Sequence, residues 1–325
     1  MFKGLKVATL TAVAMMAGSV SIAGAADVTL KLGHLANEQD VWHKASLKFA
    51  EEVAALTNNR VEVKVFPNET LGKEMDLVNG MQLGTVDMTI TGESLQNWAP
   101  KAALLAIPYA YKSLEQMIAV ADGPIGKDIE AQIIDKAKIR PVAFFPRGAR
   151  NLTSNRPIKS LDDLKGLKMR VPNVPLFVNV WRGLGAQPTP MAFSEVFTSL
   201  QNGVLEAQEN PLALIKSANF FEVQKYLNKT EHVRSWIYLA IGEKSFNKLS
   251  DADKKAILEA GKRAQTHEHA LFDEDEKKLE AELKAKGMTF VDVDTASFAA
   301  KAKDAVLASV KPEIKATVES IFAMK

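Results

Sequence analysis

Two residues in the stretch 167–211 have the chemistry of a carboxylate-binding site. Arg170 lies at the end of one predicted strand, and Asn210 follows another, directly before Pro211. The planar guanidinium of an arginine binds a carboxylate through two parallel hydrogen bonds. An asparagine amide both donates to a carboxylate and accepts from a hydroxyl. The stretch therefore predicts half of a pocket for a small carboxylate, although a surface ion pair of Arg170 and an Asx turn at Asn210 stay open as alternatives.

Two further arginines, Arg147 and Arg150, follow the strand predicted at 139–145. In doubly wound folds, ligands bind beyond the carboxyl ends of the strands. Both arginines are therefore well placed to bind an anion. As for Arg170, the alternative is an ordinary ion pair at the surface.

Two glutamates restrict the kind of anion. Glu93 follows a predicted strand within Gly92-Glu93-Ser94, and Glu74 opens a predicted helix. A carboxylate in an anion pocket repels the ligand unless it accepts hydrogen bonds from ligand hydroxyls. If Glu93 lines the site, the ligand is therefore polyhydroxylated rather than a plain diacid. A solvated helix cap is the alternative.

Aromatic and histidine side chains provide further candidates. Phe193 is either part of the core or a platform for the ligand. His34 follows the first predicted strand and could face the cleft, while His232 could orient a neighbouring side chain. His267 and His269 face different sides of one predicted helix, which argues against a metal pair there.

These candidates need a scaffold that brings strand ends together, and the alternation of strands and helices predicts one. Crossover spacing between successive strands favours a largely parallel sheet with helices on both faces. The first series predicts strands at 28–32, 61–66, 86–91 and 139–145 and helices at 40–56, 73–83, 113–121 and 126–138. The second series predicts strands at 168–171, 187–189 and 204–208 and helices at 161–164, 175–184 and 194–201.

The sequence of the remaining third of the chain predicts elements that connect two domains. Segments 221–227 and 236–241 are predicted to be connecting strands, and 251–286 one helix of about 54 Å. A bend near Phe272 is the alternative for that helix. A strand at 289–293 and two helices complete the chain. No flexible linker separates the halves, so structured crossings must join the domains, as in a hinged two-lobed binder.

Length and composition exclude several classes of protein. A chain of 325 residues exceeds what one compact core usually supports. The absence of cysteine excludes disulfides, thiolate metal sites and cysteine nucleophiles. The sequence contains no Gly-x-Ser-x-Gly, Gly-x-Gly-x-x-Gly, P-loop or His-Glu-x-x-His motif, which argues against an enzyme.

The N-terminus has the pattern of a cleaved secretory signal peptide, predicted over residues 1–25. Lys3 and Lys6 precede an apolar run at 7–20, and Ala23-Gly24-Ala25 supplies an A-x-A cleavage site. A membrane anchor is the alternative, but the run is too short and too rich in small residues to span about 30 Å. Loss of both lysines lowers the net charge from +2 to zero, which gives no electrostatic case for binding nucleic acid or anionic lipid. Export without cysteine favours a bacterial periplasmic protein.

Several motifs together resemble one known family. They are Phe66-Pro67 with Leu71-Gly72, Leu167–Asn173, Gly185–Met191, Glu195–Thr198 and Gln208–Pro211. Over essentially the whole mature chain, the sequence resembles the solute-binding proteins of tripartite ATP-independent periplasmic (TRAP) transporters, the DctP family, in its sugar-acid-binding branch. The resemblance implies an α/β, two-lobed periplasmic binding protein of type II-like architecture, with crossing strands and a long helix that spans both lobes. The expected domains are domain I, at 26–147 and 236–275, and domain II, at 148–235 and 276–325.

The resemblance also implies roles for particular residues. Arg170 matches the family's carboxylate-clamping arginine, Arg150 its second pocket arginine and Asn210 its pocket asparagine. Phe193 and Asn173 match ligand-lining positions of the sugar-acid-binding branch.

Glu93 looks like the acidic pocket residue of the sialic-acid-binding members. His34 stands where those members tend to carry asparagine, and the loop around Glu74 differs from theirs. These departures disfavour sialic acid and leave a hydroxylated acid: a uronate, an aldonate or a keto-sugar acid such as diketogulonate. Glu93 and His34 are expected to bind its hydroxyls, and selectivity is expected to come from both and from Glu74.

The expected function is capture of a monocarboxylate sugar acid in the periplasm and its delivery to the membrane permease subunits of a TRAP transporter. The protein is expected to be a monomer without catalytic residues, cofactor or metal site. The alternatives are a sialic acid or C4-dicarboxylate binder of the same family and a subunit that presents its ligand to a sensor kinase. A periplasmic sugar-acid isomerase or lyase is a further alternative.

Overall fold

The computed structural model describes residues 26–324, and within them nine strands form one continuous sheet. The predicted signal peptide, 1–25, lies outside the described residues. The strands are β1 (Val28–Gly33), β2 (Val61–Phe66), β3 (Met88–Thr91), β4 (Ile139–Ser154), β5 (Lys168–Val171), β6 (Gln187–Pro190), β7 (Ala207–Pro211), β8 (Tyr226–Gly242) and β9 (Thr289–Asp292). They lie in the order β2-β1-β3-β8-β4-β7-β5-β6, and β9 pairs with β8.

The sheet has parallel ends and an antiparallel centre. Strand β1 pairs in parallel with β2 and β3, and β5 pairs in parallel with β6 and β7. In the centre, β8 is antiparallel to β3 and β4, and β4 is antiparallel to β7. The prediction of a largely parallel sheet is therefore wrong for the centre, because crossover spacing indicates only the outer units. We call the part built on β1–β3 lobe I and the part built on β5–β7 lobe II.

The two central strands run through both lobes. Strand β4 has 16 residues and β8 has 17, so each is about 55 Å long at about 3.3 Å per residue. The strand predicted at 139–145 does not end there but continues to Ser154. The crossing strands implied by the resemblance are therefore confirmed, and the connecting strand predicted at 236–241 lies within β8.

Two strand predictions in lobe II are wrong in position. The strand predicted at 221–227 starts only at Tyr226, as the beginning of β8, because Phe220–Glu222 forms a 3-10 turn. The strand predicted at 204–208 lies three residues later, as β7. Asn210 is therefore inside a strand rather than beyond its end.

Helices cover the sheet on both sides. The α-helices are α1 (Val41–Leu56), α2 (Glu74–Leu83), α3 (Leu114–Asp122), α4 (Pro124–Gln132), α5 (Pro175–Leu184), α6 (Val196–Gln201), α7 (Leu212–Ser217), α8 (Glu243–Lys248), α9 (Asp251–Ala285), α10 (Thr295–Ser309) and α11 (Pro312–Ala323). A π-helical turn, Ile133–Ala137, follows α4, and 3-10 segments occur at Glu93–Asn97, Pro100–Ala106, Leu161–Leu164, Phe193–Glu195 and Phe220–Glu222. No helix within residues 26–324 combines the length and the apolar composition of a membrane span.

The long helix α9 joins the two lobes. It is continuous over 35 residues and has no break at Phe272. Ser250 caps its start by accepting a hydrogen bond from the backbone N–H of Asp253. Near this end Ile257 packs in the core of lobe I, whereas Leu283 packs in the core of lobe II. The prediction of a long helix across both lobes is confirmed.

The predicted domain ranges divide the chain inside its three crossing elements. The divisions at 147/148, 235/236 and 275/276 fall within β4, β8 and α9, respectively. This placement is what a hinge between two lobes requires, because only elements that cross from one lobe to the other need to bend. The ranges themselves stay a prediction.

Candidate functional site

A cavity lies between the two lobes and contains seven of the eight site residues predicted from the sequence. Those seven are Arg170, Arg150, Asn210, Glu93, Phe193, Asn173 and Glu74. Lobe I contributes the residues that follow β3 and begin α2, and lobe II contributes residues of β5, β7 and the segment after β6. The cavity therefore brings together side chains that are far apart in the sequence, while their contacts with a ligand stay a prediction.

Arg170 projects from β5, which lies between β6 and β7 in the sheet. Its partner on β7 is Gln208. The side chain is buried, and its Nε and Nη2 atoms donate to the backbone oxygen of Met191 at 3.0 and 2.8 Å. Within residues 26–324, no carboxylate oxygen lies within 4.0 Å of its guanidinium nitrogens. Burial lowers the pKa of Arg170 to about 10. Arg170 is thus a buried cation that lines the cavity without a counter-ion.

Arg150, in contrast, is fully neutralised inside lobe II. Its Nη2 donates to Glu209 Oε1 at 2.7 Å, and Nε donates to Oε2 of the same carboxylate. His232 Nε2 lies 2.8 Å from Glu209 Oε2. Burial opposes ionisation, but Arg150 and His232 together lower the pKa of Glu209 to about 2. Arg150 therefore lies inside a strand, in a fixed ion pair, and not beyond a strand end as predicted.

Arg147 forms a second buried ion pair, with Glu93. Its Nη1 atom lies 2.7 and 3.0 Å from the two carboxylate oxygens. Burial alone would raise the pKa of Glu93, but the charges of Arg147 and Arg150 outweigh it and lower that pKa. Glu93 is consequently an ionised carboxylate whose two oxygens are both bound by Arg147.

An irregularity in β4 explains why Arg147 and Arg150 reach the same cavity. Side chains three residues apart on a regular strand point to opposite faces of the sheet. The pairing of β4 with β8 shifts register between these two arginines. The shift turns both side chains toward one side. A sequence pattern contains no direct signal for such an irregularity.

A glycine places Glu93 in the wall of the cavity. Gly92 lies against β8, where a Cβ atom at this position would be 2.6 Å from Ile237 Cγ2. Only glycine therefore permits the close approach of the chain to β8 directly before Glu93.

Glu74 is a second acidic group that lines the cavity. It is half-buried at the start of α2 and accepts a hydrogen bond from Thr91 Oγ1 at 2.7 Å. Burial raises the pKa of Glu74, and the nearby charge of Glu93 raises it further. Among the described residues, no cationic nitrogen lies within 4.0 Å of its carboxylate.

Asn210 is oriented by a chain of hydrogen bonds. Its Oδ1 accepts from Arg150 Nη2 at 3.2 Å, and its Nδ2 donates to Gln208 Oε1 at 2.6 Å. Gln208 in turn donates to the hydroxyl of Thr153. These partners fix the amide so that its second N–H is available to an acceptor in the cavity.

Phe193 and Asn173 line the cavity in different ways. The Phe193 ring packs edge-on against Phe220 and lies 5.9 Å from the guanidinium carbon of Arg170. It therefore belongs to both the core and the cavity wall, the two alternatives that the sequence left open. Asn173 is half-buried, and its backbone oxygen accepts from Asn97 Nδ2 at 2.9 Å.

His34 does not line the cavity. Its ring is buried in lobe I, with Nε2 3.2 Å from Nδ1 of His43. Burial and the neighbouring His43 ring lower the pKa of His34 to about 3. The prediction that it faces the cleft does not fit this position, because the chain after β1 turns the ring toward α1.

The two lobes also contact each other directly, at Lys73 beside the cavity and at Asn37 outside its lining. Lys73 Nζ lies 2.6 Å from Glu195 Oε1. Asn37 Nδ2 donates to the backbone oxygen of Ser217 at 2.7 Å. These contacts, with that between Asn97 and Asn173, show a closed arrangement of the lobes.

The architecture and the site agree with a comparison to protein families. Residues 32–313 match the family described as bacterial extracellular solute-binding protein, family 7, also called DctP. The chain belongs to this family. The family assignment made from the sequence is thereby confirmed, and the chain is a transport solute-binding protein rather than an enzyme.

Relatives within family 7 are similar over nearly their whole length. A solute-binding protein of Roseobacter denitrificans is 65% identical over 321 residues, which cover 99% of this chain and 98% of the relative. A crystal structure of a TRAP periplasmic solute-binding protein from the same organism, with bound L-galactonate, has a TM-score of 0.91 and 66% identity and covers 92% of this chain and 100% of that one. A Haemophilus influenzae TRAP protein with bound L-gulonate has a TM-score of 0.85 at 31% identity, covering 92% and 100%.

The cavity is also lined by residues that were not among the predicted site residues. Arg147 was noted but not selected, and Trp42, which lies against it, was not considered. Behind the cavity wall, Glu209 binds Arg150, and His232 binds Glu209. The sequence suggested that His232 could orient a neighbouring side chain, but which neighbour it contacts depends on strand contacts across the sheet that local sequence spacing does not indicate.

Proposed function

We propose that this chain captures a sugar acid with one carboxylate in the periplasm and delivers it to the membrane permease of a TRAP transporter. The observation that carries the ligand class is Arg170. A buried guanidinium without a counter-ion is costly unless an anion joins it. A ligand carboxylate at this position would supply that anion and bind through two hydrogen bonds.

The charges around Arg170 favour a ligand with a single negative charge. Arg150 and Arg147 are already neutralised by Glu209 and Glu93. Only Arg170 is left to balance an added anion among these three arginines. A plain dicarboxylate would bring a second charge into a cavity that offers no second unpaired cation among them.

The remainder of the cavity favours hydroxyl groups on the ligand. Asn210 offers an N–H, and Glu74 offers carboxylate oxygens. Hydroxyls both donate and accept hydrogen bonds, so one polyhydroxylated chain satisfies both kinds of partner. Arg150 supports this arrangement indirectly in our proposal, because it orients Asn210.

The relatives support a six-carbon aldonate in particular. The Roseobacter denitrificans protein that shares 66% of its residues with this chain was found with L-galactonate. We propose L-galactonate, or an aldonate of the same length, as the ligand of this chain. The extracellular character of the family and the predicted signal peptide support a periplasmic location.

Calorimetry with a panel of acids tests the proposal. We expect the mature protein to bind L-galactonate with one-to-one stoichiometry and more tightly than sialic acid or succinate. Mass spectrometry of the acid released on denaturing freshly purified protein provides an independent readout. Tight binding of succinate together with no binding of any sugar acid would refute the proposed ligand class.

Delivery to a permease requires a separate experiment. In proteoliposomes that contain the TRAP membrane subunits of the same operon, uptake of radiolabelled L-galactonate should depend on the added binding protein. Binding without any uptake, together with capture of a receptor kinase, would favour the sensor alternative.

A further inference from the structure

Lobe I presents an acidic wall to the cavity, opposite Arg170. In the sheet, the three strands β8, β4 and β7 separate β3 from β5, which carries Arg170. The acidic wall is attached to β3 and to the start of α2. It consists of Glu69, Glu74, Asp76 and Glu93. A ligand whose carboxylate lies at Arg170 therefore extends toward carboxylates at its other end.

The four acids of this wall differ in their surroundings. Glu93 is paired with Arg147, as described above. Glu69 lies at the mouth, where its Oε2 accepts from the backbone N–H of Ser194 at 3.2 Å. Asp76 is exposed to solvent. Glu74 is half-buried, has Thr91 as its hydrogen-bond donor and has no cation within 4.0 Å among the described residues.

We propose that Glu74 binds the terminal hydroxyl of the ligand and makes the site selective for aldonates over aldarates of the same carbon skeleton. An aldonate ends in an uncharged hydroxymethyl group, which can donate to the free lone pairs of Glu74. An aldarate ends in a second carboxylate, which would meet Glu74 as a like charge in a partly desolvated cavity. This inference rests on the proposed function, because it assumes that one carboxylate of the ligand lies at Arg170.

The N-terminal turn of α2 also favours a ligand hydroxyl over a ligand carboxylate. The first-turn N–H groups of an α-helix have no partner within the helix, and Lys73, the N-cap residue, makes no side-chain hydrogen bond to them. Such N–H groups ordinarily attract anions. Here the first turn already carries Glu74 and Asp76, so its positive potential is balanced before a ligand arrives. A hydroxyl can accept from an N–H and donate to Glu74 at once.

The test compares two ligands that differ at one end. L-Galactonate and galactarate share the same carbon chain, and only galactarate carries a second carboxylate in place of the terminal hydroxymethyl group. We expect the wild-type protein to bind L-galactonate at least about 30-fold more tightly than galactarate, measured by calorimetry at pH 7.5. Comparable dissociation constants for the two acids would overturn the inference, and this outcome does not depend on any variant.

Variants assign the selectivity to Glu74. In Glu74→Gln the affinity for L-galactonate should fall and the ratio between the two acids should shrink about tenfold or more, because the amide no longer repels a carboxylate. Glu274→Gln, at an exposed position of α9 away from the cavity, is the control and should leave the ratio unchanged. An unchanged ratio in Glu74→Gln, with thermal unfolding like that of the wild type, would contradict the role of Glu74. A wild type that binds neither acid would overturn the proposed function and this inference together, whereas equal binding of both would overturn the inference and the single-charge argument but leave the capture of a sugar acid standing.

Discussion

Arg147 holds Glu93 in a buried ion pair at the wall of the cavity, with Nη1 2.7 Å from Oε1 and 3.0 Å from Oε2. Both side chains are less than a tenth exposed. The two residues are 54 positions apart in the sequence, so only the fold brings them together. The pair has two consequences: Glu93 is stabilised as an anion, and Arg147 is not available to balance the charge of a ligand.

Removal of one partner of this pair should destabilise the protein. Glu93→Gln leaves the Arg147 guanidinium buried without its counter-charge, which should lower the free energy of unfolding by about 3–5 kcal/mol. Urea denaturation followed by circular dichroism measures the loss. In the double variant Glu93→Gln/Arg147→Met, much of the loss should be recovered, because no charge is then left unpaired. A double variant less stable than the single one would contradict this explanation.

Replacement of Arg170 should abolish most of the ligand affinity while leaving the fold intact. Because Arg170 has no counter-ion in the described part of the chain, Arg170→Gln breaks no internal ion pair. It should weaken the binding of L-galactonate by about 2–5 kcal/mol, which corresponds to a dissociation constant raised about 30-fold or more. Arg182→Gln, at an exposed position of α5, is the control. Equal affinity of both variants for the ligand would show that Arg170 does not bind the ligand.

The sequence predicted the part of the cavity wall that lies in lobe II better than the remainder. Arg170 and Asn210 lie on β5 and β7, short strands whose flanking helices α5 and α6 have clear apolar periodicity and glycine or proline boundaries. Local patterns of this kind place a strand within a few residues. These patterns were sufficient to predict that the two side chains lie at one edge of lobe II.

Long-range pairing explains what the sequence could not predict. Pro146 and Gly148 look like turn residues, yet they lie in a strand that the antiparallel partner β8 extends through both lobes. Arg150 was therefore predicted beyond a strand end. His34 follows a strand, as predicted, but its ring packs against His43 of α1. In both cases a tertiary contact, and not the local pattern, decides the position.

The ion pair between Lys73 and Glu195 should affect how long the ligand stays bound. It joins the lobes at the mouth of the cavity and is about half exposed, with side-chain exposures of 45% and 48%. An exposed pair contributes little energy, so Glu195→Gln should raise the ligand dissociation rate about two- to fivefold and leave the association rate nearly unchanged. Stopped-flow tryptophan fluorescence measures both rates. Glu274→Gln, which removes an exposed pair with Lys278 away from the cavity, is the control and should change neither rate.

Glu268 should make the protein less stable as the pH rises. This residue of α9 is fully buried, and neither carboxylate oxygen has a hydrogen-bond partner among residues 26–324. Burial raises the pKa of Glu268 well above 4.5, and Asp40 and Asp273 raise it further. Because the folded protein holds this proton more tightly than the unfolded chain, the stability is fully present below about pH 4.5 and is lost as the pH rises toward the folded pKa.

Glu268→Gln should therefore be more stable than the wild type at high pH. Glutamine has the shape of the neutral acid and does not ionise, so the variant avoids a cost of about 1.4 kcal/mol for each pH unit in this window. The difference in unfolding free energy between variant and wild type should be small at pH 4.5 and should grow toward pH 8. Asp40, whose pKa burial raises to about 6, changes stability in the same direction in both proteins and cancels from the difference. Glu274→Gln, at an exposed site of the same helix, should show no such growth. A difference independent of pH would mean that Glu268 is ionised in the folded protein at all the pH values tested, with a partner that the described residues do not supply.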